Sequence, residues 1–473
     1  MNNITNKLGG KMIDSGGFGC IFSPALLCNG TKRRKKNTIS KLMTTKNAKD
    51  EFEKLSSIQN IIRKIPNYTK YFLIDDISIC KPIKLTKNDL QNFDKCTALK
   101  KDKVENKNVD INERLDDLLA INMPYGGVTV DHFIMNIKSY TKLQMINNKL
   151  IDLLINGIIP MNNLNIYHND IKDSNILVYH VDKEENTIVR MIDWSLTVQY
   201  KPFENNVFPK KWRNRPLQFN VPFSIILFTD LFYETYSEFL QNLQNNRNND
   251  DTIETSKMLI KKEYIYGFVK HYLKSWINER GLGHYKYINK IMYMLFINDV
   301  EIEIKNTTIE EKKKYIQQHY TDQYIIEYLV EILLHFTFFR KDGSLNMRVY
   351  LDNVFIHIVD VWGLITAYLP MYELFFENYE NLTKNQKLLM ENLKIIFLKY
   401  LYEPRIKPIN IEYLVNNLKN IDTIIDSEII IHKKEGKQKK TTNFNKLSTF
   451  RRKTNKSLKK ITMKNKKIYN KNK

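Results

Sequence analysis

Polar and apolar residues interleave in strand fashion over Thr38–Met43, which predicts a β-strand with Lys41 inside it. Upstream, Lys11–Ala25 sets a glycine-rich turn between two short apolar runs and predicts a hairpin. Phe52, Leu55 and Ile58 then recur at helical spacing, as do Met145, Ile146, Leu150, Leu153, Leu154 and Ile158, so two amphipathic helices are expected there. A second hairpin is predicted from Ile176–Val178 and Ile188–Ile192, which flank a polar turn. The run Phe355–Tyr368 is apolar nearly all round, as a fully buried helix would be. The pattern therefore predicts an α+β chain: strands gathered in residues 1–125, helices dominating residues 126–432.

Composition adds a third part. Of the 473 residues 42% are hydrophobic, enough for a substantial core in more than one body. The net charge of +22 is concentrated at the end, where residues 433–473 hold seventeen Lys or Arg against one acid, Glu435. Such a stretch cannot bury a core, so a disordered basic tail is expected. It suits nucleic acid, an acidic partner or an anionic membrane surface, and charge alone does not choose among them. A second basic cluster, at residues 32–36, reads as an exposed loop between strands. No uninterrupted apolar run reaches the length of a membrane span and no signal-peptide pattern opens the chain, so a soluble intracellular protein without a transmembrane segment is expected. The four cysteines, Cys20, Cys28, Cys80 and Cys96, show no zinc spacing and are expected to be reduced thiols.

The chemistry-bearing residues cluster in His168-Asn169-Asp170-Ile171-Lys172-Asp173-Ser174-Asn175, followed after 17 residues by Asp193-Trp194-Ser195. Two carboxylates, an ammonium and a carboxamide at this spacing are what phosphoryl transfer from a nucleotide requires. Charge on the moving phosphate must be neutralised, divalent metal held and an acceptor hydroxyl oriented.

This segment resembles the H-R-D-L-K-x-x-N loop and D-F-G of protein kinases. The resemblance implies Asp170 as catalytic base, Lys172 as phosphate contact, and Asn175 and Asp193 as Mg2+ ligands. The run Ile13, Asp14, Ser15, Gly16, Gly17, Phe18, Gly19, Cys20, Ile21 resembles the family's glycine-rich loop, which would line bound ATP, with Asp14 where the first glycine stands. Lys41 would contact the α- and β-phosphates and pair with a helix glutamate, Glu51 in preference to Glu53. Ile121–Thr129 resembles the hinge, with Met123 gatekeeper-like and the backbones of Tyr125 and Gly126 facing adenine, since Pro124 has no N–H. Asp360-Val361-Trp362 resembles the buried helix whose aspartate braces the catalytic loop, and Arg405 is a candidate structural arginine.

The resemblance implies a two-lobed protein-kinase-like fold, with a β-rich lobe to about residue 125 and a mostly helical lobe carrying an insertion over about 235–350. The activity implied is that of an ATP-dependent serine/threonine protein kinase acting on a protein hydroxyl. The composition and phrasing are similar to kinases encoded by large DNA viruses. Lys172 favours the serine/threonine type. Trp194 is shared with small-molecule kinases of the same fold, which form one alternative; an inactive kinase-like scaffold with a nucleic-acid-binding tail is the other. Asn169 replaces the arginine that receives an activation-loop phosphate in many kinases, and residues 198–223 contain no Ser or Thr. Activity without phosphorylation there is expected.

Overall fold

The computed structural model describes residues 10–31, 34–35, 37–101, 111–180, 186–204, 208–245, 260–304, 307–340 and 343–435. It divides into two compact units. One comprises Met1–Val128, Leu177–Val181 and Thr187–Thr197; the other comprises Thr129–Ile176, Asp182–Asn186 and Val198–Lys473.

The first unit is built on five antiparallel strands, β1 (Lys11–Ser15), β2 (Gly19–Ser23), β3 (Thr38–Thr44), β4 (Ser78–Cys80) and β5 (Leu118–Pro124), in the order β1-β2-β3-β5-β4. β3 is the middle strand and all but its last residue are buried. Its period of two separates two jobs. Leu42 joins Met12, Phe22, Leu26, Phe93, Leu99 and Leu118 in a core on one side, while Met43 packs with Ala48, Ile121 and Phe52 in another. The helix α1 (Thr45–Ile62) follows directly, with the Thr44 hydroxyl accepting from Asn47 N. Its buried residues Ala48, Leu55, Ile58 and Ile62 form one stripe. Glu51, three residues after Ala48 and four before Leu55, belongs to that stripe, and Glu53 does not.

The cysteines overturn the expectation of reduced thiols. Cys20 is bonded to Cys96 and Cys28 to Cys80, with Cα separations of 5.7 and 5.8 Å. The partners lie 76 and 52 residues apart in the chain. Cys28 meets Cys80 beside a backbone bridge to Pro82, and Cys20 meets Cys96 in a shared core, which no spacing pattern could show.

The second unit is mostly helical. The expected insertion is helical through Asp230–Asn245, α2 (Lys262–Trp276), a π turn at Ile277–Gly281, α3 (Leu282–Glu303), Ile309–Ile316 and Asp322–Phe336. It shares the core of the unit: Thr229 bonds Tyr272, Ser224 bonds Tyr350, and Tyr328 packs edge-on to Trp362. The buried helix expected near residue 360 is α4 (Ile356–Thr366), every residue of which except His357 is buried. Arg348–Phe376 is long and apolar enough to cross a membrane, yet 94% of its most apolar window is buried in the fold. The final helix runs from Ile411 to Glu435, so residues 433–435, assigned to the tail by composition, continue a helix. The rest of the tail lies outside the described residues, as do three of the five in the basic cluster at 32–36.

Candidate active site

Within the first unit, Lys41 Nζ donates to Glu51 Oε1 and Oε2 at 2.9 and 2.7 Å and lies 3.9 Å from Asp193 Oδ2. Lys41 is 7% exposed. Burial alone would lower its pKa, but the charges of Asp193 and Glu51 outweigh it and hold the ammonium above its ordinary value. The helix glutamate is thus Glu51, the one that lies on the buried stripe of α1. Glu51, Asp193 and Met123 also line one cavity of about 30 Å3. Asp193 has a left-handed φ of 66°, and its Oδ1 accepts from Ser195 Oγ at 2.7 Å. Trp194, 3% exposed, packs on Phe72 at 5.7 Å and anchors the turn.

The glycine-rich turn closes through Gly16 N donating to Gly19 O at 2.9 Å. Asp14 turns its carboxylate back to Ser15 N at 2.8 Å, and the Ser15 hydroxyl faces Thr97. A Cβ at Gly17 would meet nothing within 4 Å, and one at Gly16 only Gly19 O at 3.6 Å. Packing does not explain the missing side chains. They leave open space beside the backbone of this turn. Phe18 and Ile13 are exposed at 46% and 47%. Ile21 pairs directly with Lys41, so both side chains share a face of the sheet. Cys20 departs from its expected role: it is fully buried in the core and bonded to Cys96, not directed at a ligand. The hinge expectation also needs correcting, because Tyr125 N donates to Asn37 O at 2.8 Å. Tyr125 therefore has only its carbonyl and ring to offer a base, and Gly126 N–H is the next backbone donor.

Within the second unit, Asp170 is 7% exposed and surrounded by donors. Lys172 Nζ lies 2.7 Å and Asn175 Nδ2 3.0 Å from its Oδ2. Asn175 Nδ2 also reaches the Asp170 carbonyl at 2.8 Å, so its amide nitrogen is committed to the loop and its oxygen is the group suited to a cation. Asp360 accepts from the backbone N–H of His168 and Asn169 at 2.8 and 2.7 Å, and from Asn162 Nδ2 at 2.8 Å. It braces the loop from mid-helix and is not a cap. Asn169 has a φ of 64°, a left-handed conformation that asparagine tolerates better than most residues. Burial, then the charge of Asp131, pushes the Asp173 carboxyl up to about 6. Arg405 is 3.4 Å from its neighbour Glu403 and lies over the Tyr400 ring.

Three residues near Asp170 were not legible in the sequence. Asn220 Nδ2 donates to Asp170 Oδ1 at 2.9 Å, and Arg215 Nη2 stands 3.9 Å from the same oxygen. His284, in the first turn of α3, has its pKa lowered by burial first and then by the charges of Arg215 and Lys172, with Asp170 opposing. No periodicity links these positions to the loop. Among the described residues, no group of three or more His, Cys, Asp or Glu side chains forms a ready metal cage. Magnesium needs only one or two protein oxygens beside phosphate, and each unit presents an oxygen of that kind, Asp193 in the first and Asn175 in the second. Compared with known proteins, the chain matches no family model and no curated sequence.

Proposed function

We propose that this protein has a protein-kinase-like fold and is an ATP-dependent kinase that transfers the γ-phosphate to a serine or threonine hydroxyl of a protein. The observation that carries the reading is Lys41. β3 and the helix that follows it supply one buried ammonium and one carboxylate, Glu51, and the remote Asp193 supplies a second, in the arrangement that nucleotide phosphates need.

In this reading the Gly16–Gly17 turn and Lys41 orient the phosphates, and Gly126 N–H serves the base. Asn175 and Asp193 would hold Mg2+, which when bound neutralises charge on phosphate oxygens. Asp170 takes the proton of the acceptor hydroxyl as the new O–P bond forms and the β,γ-bridging bond breaks. Lys172, already 2.7 Å from Asp170, offsets charge on the transferred group. The only hydroxyl over residues 198–223, Tyr200, is 1% exposed and donates to Asp352 Oδ1 at 2.6 Å, which supports activity without phosphorylation of this segment.

The test is labelled ATP with Mg2+ against generic proteins, lipids, choline-like amines and sugars, comparing wild type with Asp170→Asn. Transfer to protein Ser or Thr should fall by about 10²–10⁴-fold in the variant while nucleotide binding persists. Equal rates would remove Asp170 as base, and transfer only to a small acceptor would replace the protein substrate.

A further inference from the structure

Arg215 occupies an unusual place for a guanidinium. It is 6% exposed, and it donates from Nη1 to the Asn169 carbonyl and from Nη2 to Gln218 Oε1, both at 2.7 Å. A buried arginine loses its hydration, and fixed oxygens must replace the water it gives up. Here those oxygens include the backbone of the loop that carries Asp170, the carboxylate 3.9 Å away.

The insertion holds this arginine in turn. Trp276, the last residue of α2 and 1% exposed, donates from Nε1 to the Arg215 carbonyl at 3.1 Å. Arg280, one turn later, covers the Trp276 ring at 5.9 Å. Four residues beyond Arg215, the Phe219 carbonyl accepts from Trp362 Nε1 at 2.8 Å, and the Phe219 ring meets Tyr287 of α3 at 6.4 Å. At the other end of the segment, Asp352 accepts from Tyr200 OH and from Phe203 N at 3.1 Å, while Arg348 Nε pairs with it at 3.0 Å. Side chains of the second unit therefore fasten the segment at both ends.

We propose that Arg215 is a positioning residue for Asp170, and that the helical insertion, through Trp276, keeps it in place. The cation absent from position 169 is supplied from position 215 by a permanent contact, so the loop is set without a phosphate. What Asp170 does rests on the phosphotransfer reading; how its loop is held does not.

The experiment measures steady-state kinetics and amide hydrogen exchange on the full chain for Arg215→Met, Arg215→Lys and the milder Trp276→Phe, which keeps an aromatic ring and removes the indole N–H. In Arg215→Met, kcat should fall about 10- to 100-fold with KM for ATP within about twofold, and exchange should quicken over residues 167–176. Arg215→Lys should recover part of the loss, and Trp276→Phe should show the same pattern more weakly. Unchanged kcat and loop exchange in a folded variant overturns the proposal, as does exchange that rises equally throughout the second unit. If wild type transfers no phosphate to any acceptor, the phosphotransfer reading falls, and the exchange measurement alone decides whether Arg215 and Trp276 hold the loop.

Discussion

Asp170 is made useful by what surrounds it. A buried carboxylate needs donors in place of the water it gives up, and Lys172, Asn175 and Asn220 supply three within 3.0 Å. The first two were legible because they sit in one short motif with Asp170. Asn220 and Arg215, fifty and forty-five residues downstream, were not. His284 reports on the same cluster. Partial burial first, then the positive charges of Arg215 and Lys172, hold its imidazole below the ordinary value of 6.5, with Asp170 opposing. The neutral form is the one the fold prefers, so its contribution to stability is present above about pH 6.5 and is lost as pH falls through the lowered value. Titration of the His284 ring by NMR should give a pKa below 6.5, and Arg215→Met should raise it by removing a cation. A value at or above 6.5 in wild type would show that burial and the two cations do not hold this ring down.

At the scale of elements, α1 and α4 each deliver one carboxylate from an otherwise apolar stripe. For α1 the stripe was readable, and it selects Glu51 over Glu53 by rotation about the helix axis. For α4 packing sets Asp360, in mid-helix, against the backbone of the loop. Close approach depends on Gly363, where a Cβ would come 2.6 Å from Ile171 O and 2.7 Å from Ile171 Cβ. Neither is the free end of a flexible side chain, so helix or loop must move. Gly363→Ala should cost about 1–3 kcal/mol in denaturant unfolding and lower kcat with little change in KM for ATP. Wild-type stability and turnover in that variant would mean that the contact has slack.

Over the whole molecule, the largest departure from expectation is the pair of disulfides. Composition pointed to reduced thiols because four cysteines without a motif are usually that. Yet β2 is one strand from β3, and the segments carrying Cys80 and Cys96 return to the same sheet and core. Each bond closes a long loop of unfolded chain and should contribute about 2–4 kcal/mol. Alkylation of denatured protein should find no free thiol before reduction and four after it, and reductant should lower the melting temperature. Four free thiols in the untreated protein would refute both pairings.

The sequence by itself determined the α+β class, the strand that carries Lys41 and the short motif that sets Lys172 and Asn175 beside Asp170. These come from periodicity and from short motifs, in which neighbours in the chain are neighbours in space. Only the tertiary structure decided which groups surround them. Arg215, Asn220, Trp276 and the cysteine pairs meet their partners through packing between elements far apart in the chain, and contacts of that kind leave no period or spacing in the sequence to read.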